Sequence, residues 1–89
     1  LCAASMRLRG FEALDAGDPE GAARLARASV GLAPNEPATH LLLGRALAAL
    51  GRRDEAASSF TRARHLAPGW EPPRRAMQDL LDLAGRSHR

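Results

Sequence analysis

The sequence predicts an all-α fold of two antiparallel helix pairs followed by one terminal helix. Two observations carry this. Glycine and proline recur at a fixed spacing of 34 residues: Gly10 with Gly44, Gly17 with Gly51 and Gly85, Pro34 with Pro68. A 34-residue shift also pairs Ala22 with Ala56 and the tripeptide LAP with itself. Between these marks the text is leucine- and alanine-rich, with the apolar residues at helical spacing.

The first unit has the plan of a helix pair, with Asp18 set to cap its second helix and Pro19 at that helix's first position. In the second unit residues 38–50 are almost continuously apolar, as suits a helix buried on most of its sides. Its second helix has Ala56, Phe60 and Ala63 on one face. Asp54 and Glu55 open that helix, and Arg62, Arg64 and His65 close it, in the sense that complements the helix dipole. The last unit begins at Pro72 and Pro73. Met77, Leu80, Leu81 and Ala84 form an apolar stripe, and Arg75, Gln78, Asp79, Asp82 and Arg86 form the wet face, the pattern of a capping helix. The expected boundaries are one domain over 1–89, with repeats at 3–36 and 37–70, a partial repeat or cap at 71–86 and a tail at 87–89.

Composition narrows the function classes. The 89 residues carry 13 arginines, no lysine and 10 acidic residues, a formal charge of +3 with the signs interspersed. Nucleic acid is therefore not advertised. The single cysteine, Cys2, cannot form an internal disulfide, and no apolar run is long enough to span a membrane. The chain begins with leucine and has no signal-peptide layout, which reads as a piece of a longer protein and, as an expectation, a cytoplasmic one. Catalysis is poorly supported: His40, His65 and His88 are widely spaced and have no carboxylate or cysteine at ligand spacing. No metal or cofactor is implied. Trp70 is either an interface anchor or packs over the last helix, the second being favoured.

The central unit resembles the tetratricopeptide repeat, whose pattern is W-x-x-L-G-x-x-Y, then A-x-x-x-F, then P. HLLLGRAL supplies Leu43 and Gly44, with His40 and Leu47 in the aromatic places; AASSF supplies Ala56 and Phe60, and Ala63 and Pro68 complete the set. The first unit keeps Gly10, Ala22 and Pro34 but has Arg9 and Ala26 where larger apolar residues are usual. The last keeps Met77, Leu81 and Gly85 and has Gln78 in the glycine place. The resemblance implies a right-handed helix–turn–helix solenoid. In it Gly44 and Ala56 let the two helices cross closely, Phe60 fills the space toward the next repeat, and His40 packs structurally.

The resemblance also implies a protein–protein interaction module with no catalysis of its own. Its concave groove, lined by the first helix of each repeat, receives a peptide or a partner's helix. By repeat position the groove would expose Arg7, Leu8, Phe11 and Leu14, then Leu41, Leu42, Arg45 and Ala49, then Arg75 and Asp79. Leu41 and Leu42 compete for the core, and the arginines could instead be solvated or paired with Asp79 and Asp82. Arginine's planar fork suits carboxylates, so the expected partner has acidic and apolar groups. Docking of a chaperone's C-terminal carboxylate is rejected, because Phe11, Leu42, Pro72 and Ala76 occupy four of the five clamp places and only Arg7 is basic. The alternatives are homo-oligomerisation or a scaffold role within a larger parent protein. Single-stranded RNA binding ranks third, since Phe11 and Trp70 are the only aromatics for stacking.

Overall fold

The computed structural model describes residues 2–87, with side chains as far as Leu83. Five helices follow in order: α1 (Ala3–Asp15), α2 (Pro19–Leu32), α3 (Pro37–Ala49), α4 (Arg53–Leu66) and α5 (Glu71–Ser87). Among the described residues there is no strand.

The turns inside the two repeats are built alike. At the end of α1, Gly17 has φ +84° and at the end of α3, Gly51 has φ +81°. This left-handed conformation is open to glycine at little cost and strained for other residues. It lets the following amide donate back to the helix: Asp18 N–H to the Ala13 carbonyl at 2.8 Å, and Arg52 N–H to the Leu47 carbonyl at 2.9 Å. The glycine amides donate to Leu14 and Ala48 at 3.1 Å each. Both turns are therefore Schellman caps, and the 34-residue recurrence of glycine has a backbone cause. Gly85 does not share it, because α5 runs through that position.

Asp18 then begins α2, its Oδ1 accepting from the Gly21 amide at 3.0 Å with Pro19 at the first helical position. Any side chain at position 21 would strike that carboxylate, which explains a buried glycine in the first turn. α4 opens with Asp54 and Glu55 and ends with Arg64 and His65, as the dipole favours.

Each helix packs against the next. In addition α1 meets α3 and α3 meets α5, whereas the backbones of α2 and α4 stay apart and the two helices are joined by the Arg27–Glu55 ion pair at 3.7 Å. The stack therefore bends with α1, α3 and α5 on its inside. Two apolar clusters hold it together. Ala22, Ala23, Ala26, Leu42 and Ala46 form the first, with Phe11 and Leu14 against them. Leu41, Leu47, Ala56, Phe60 and Leu80 form the second, with Trp70 and Met77 against them.

The atoms nearest to Gly44 belong to Phe60 rather than to Ala56, the neighbour the repeat pattern suggested. A β-carbon at position 44 would lie 3.0 Å from Phe60 Cζ and closer still to Cδ1 and Cε1. The Phe60 ring thus rests on the glycine within its own repeat, in the same apolar cluster as Leu80 of α5. Gly10 plays the same part for Leu42, which reaches back from α3.

A buried polar knot ties the N-terminal ends of α1 and α3 to the C-terminal end of α2. Ser29 Oγ donates to the Ala3 carbonyl at 2.9 Å and lies 3.3 Å from Thr39 Oγ1. His40 Nε2 is 2.7 Å from the Pro34 carbonyl, so the ring is a packed, hydrogen-bonded part of the fold. No buried side-chain nitrogen or oxygen lacks a partner among the described residues.

Candidate functional site

The inside of the bend is a groove, and one part of it lies between α3 and α5. A cavity of about 410 Å³ opens there. Ala48 from α3, the edge of Phe60, and Pro72, Ala76 and Leu80 from α5 form its apolar walls. Arg45 from α3 and Glu71, Arg75 and Asp79 from α5 stand around it, and Leu83, 52% exposed, closes one end. Among the described residues, none of these four charged groups makes an ion pair within 4.0 Å.

Of the residues the sequence assigned to the groove, Arg45, Arg75 and Asp79 come together at this cavity. Ala49 is exposed and is not part of the cavity's lining, where its neighbour Ala48 stands instead. Leu41 and Leu42 do not belong to the groove. They are 3% and 0% exposed, Leu41 in the second cluster and Leu42 against Gly10 and the alanines of α2. A central helix with neighbours on both sides buries more than one stripe, which removes these two from solvent.

The α1 residues form a separate region. Phe11 and Leu14 are half-buried against the first cluster, and Leu8 is 62% exposed. Arg7 lies 3.9 Å from Glu36, whose other carboxylate oxygen caps α3 through the Ala38 amide at 3.5 Å. Arg7 is thus engaged with the start of α3, away from the cavity between α3 and α5. The predicted stripe of α5 also divides: Leu80 is buried, Met77 is half-buried and Leu81 is 59% exposed. Ala84 and Arg86 lie outside the described side chains, and His88 lies outside the described residues.

Glu71, Ala48 and Leu83 were not foreseen as groove residues. The missed signal was the spacing Glu71, Arg75, Asp79, which puts three charges in one row along a helix. No metal-binding group of three or more His, Cys, Asp or Glu side chains is present among the described residues. Nor is any described helix long and apolar enough to cross a membrane.

The paired helices, the 34-residue recurrence of the Schellman glycines and the glycine–phenylalanine contact are the marks of one repeat type. The family model described as Tetratricopeptide repeat matches residues 13–81. The chain belongs to the tetratricopeptide repeat family. No curated protein matches it. Tetratricopeptide repeats generally mediate protein–protein interaction, typically without catalysis. In this tetratricopeptide repeat chain two helix pairs are complete, and α5 stands where the first helix of a third repeat would.

Proposed function

We propose that this tetratricopeptide repeat chain is a non-catalytic interaction module that receives a segment of a partner protein in the groove between α3 and α5. One observation carries the reading: an apolar cavity of about 410 Å³ ringed by Arg45, Arg75, Glu71 and Asp79, none of them engaged in an ion pair among the described residues. A cavity of this size with a few charged groups around an apolar floor suits a large anchoring side chain whose flanking residues supply orientation.

The RNA reading loses support here. Trp70 and Phe11, the aromatics it needs, are both packed against core clusters. Self-stacking has one observation in its favour, the exposed Leu8 and Leu81 on opposite sides of the stack.

Site-specific photocrosslinking in the source cells tests the proposal. A photoreactive phenylalanine at position 83, in the groove, should capture a partner protein. The same group at Leu32, 59% exposed on α2, should not. Equal capture from both positions, or capture from position 32 alone, would move the interface off the groove.

A further inference from the structure

We infer that the groove's occupant is an amphipathic α-helix of the partner, lying antiparallel to α3 and α5. It presents basic, acidic and basic side chains at successive four-residue steps opposite Glu71, Arg75 and Asp79, with a large apolar side chain in the cavity. This rests on the groove reading above and specifies its ligand.

The site is electrically balanced. Two arginines face two carboxylates around one cavity, so a purely acidic segment would meet Glu71 and Asp79 as well as the guanidiniums. To the acidic and apolar groups expected from the arginines, the two carboxylates add a place for basic groups. What the site can select is an alternation of charge. Glu71, Arg75 and Asp79 stand in one row of α5 at steps of four residues, about 6 Å apart along the axis. A helix laid alongside repeats its own side chains at that same step, so three complementary pairs form in register. Arg45, on the opposite wall, adds a second donor for the central acid. Short turns reverse the chain at each step, so α3 and α5 run in the same direction and their dipoles add. An antiparallel third helix opposes both. Leu83 at the far end of the row continues it as an apolar contact, which fixes the order read along the partner: apolar, basic, acidic, basic.

Selection from a random 16-residue peptide library displayed on phage, against the whole chain, tests this. Leu83→Glu and Arg75→Glu are run beside it, both at exposed positions and both verified as folded by circular dichroism. The expected clones bind at least about tenfold more weakly to Leu83→Glu, carry the basic–acidic–basic spacing and become helical on binding. Arg75→Glu should select a basic residue in the middle place instead. Clones lost on Leu83→Glu but lacking that spacing, holding proline in mid-segment, or indifferent to Arg75→Glu, overturn the inference and leave the groove reading standing. Clones indifferent to Leu83→Glu, or no clones at all, overturn both. Sedimentation of the chain alone covers the remaining occupant: a dimer abolished by Leu83→Glu would make it a second copy and sink the inference.

Discussion

Replacing Gly44 by alanine pits two effects of known sign against each other. Alanine in place of glycine within a helix stabilises by roughly 0.5–1 kcal/mol through backbone entropy. At position 44 the new methyl meets the ring of Phe60, which is 1% exposed and packed in a cluster with Leu41, Leu47 and Leu80. The ring borders the groove cavity along one edge, so it can give way only by leaving its packed position and shifting into that cavity, and overpacking of this kind costs about 1–3 kcal/mol. The packing term wins over most of that range. Gly31 supplies the control: it is also helical and exposed, and a β-carbon there meets nothing within 4 Å. Gly31→Ala should therefore stabilise by the propensity term alone. The two variants should differ by about 1–3 kcal/mol, which for a domain of this size is a gap in Tm of at least about 4 °C. Thermal and urea unfolding followed by circular dichroism at 222 nm reads it. Combining Gly44→Ala with Phe60→Leu should give a coupling of at least about 0.5 kcal/mol, because the smaller side chain makes room for the methyl. If Gly44→Ala raises Tm as much as Gly31→Ala does, the close approach is not what the glycine is for.

Leu8 and Leu42 occupy the same place in successive repeats, yet one is 62% exposed and the other 0%. Leu42→Ala should cost about 2–5 kcal/mol in urea unfolding, and Leu8→Ala should stay within about 0.5 kcal/mol. Ser29→Ala should cost about 1–2 kcal/mol and speed amide exchange in the first turn of α1, since it removes the hydroxyl donated to the Ala3 carbonyl. The Cys2 thiol is held below the ordinary cysteine range, chiefly by its hydrogen bond with the Ser5 hydroxyl at 3.3 Å. More of it is therefore thiolate at neutral pH, and Ser5→Ala should move the pH profile of iodoacetamide alkylation upward and slow the reaction at pH 7.

The repeat plan was legible because it is written in residues whose chemistry is local. Gly17 and Gly51 are needed for a left-handed φ, Asp18 for a cap and Pro19 for a first helical position; none of these depends on a distant partner. The groove was less legible. In the run LLL at 41–43 the apolar pattern has no gap, so nothing in it says which leucines face solvent. Only the presence of α2 on one side and α4 on the other buries Leu41 and Leu42 together. Phe60 and Ala56 share a helix face, and the sequence does not tell which of them meets Gly44. The proline pair placed the start of the last helix at residue 72. It begins at Glu71, which brings that carboxylate into the row with Arg75 and Asp79.

The two end faces of the stack bear on why the groove is the surface to pursue. Each exposes one leucine, Leu8 on α1 and Leu81 on α5, and burying a leucine fully is worth about 1.5–3 kcal/mol. Their neighbours oppose that gain. Glu12 stands where the next repeat has Ala46, 0% exposed, so a repeat packed against α1 as α2 packs against α3 would have to bury a carboxylate. An unpaired buried charge costs several kcal/mol. On α5, Gln78 takes the place of Gly44 and donates to Asp82 at 3.1 Å. A phenyl ring arriving as Phe60 arrives on Gly44 would meet that amide and break its hydrogen bond. At both ends the polar residue outweighs the leucine. Between α3 and α5 the arrangement is reversed: the walls are apolar, and the charges stand around the cavity with no ion pair among the described residues.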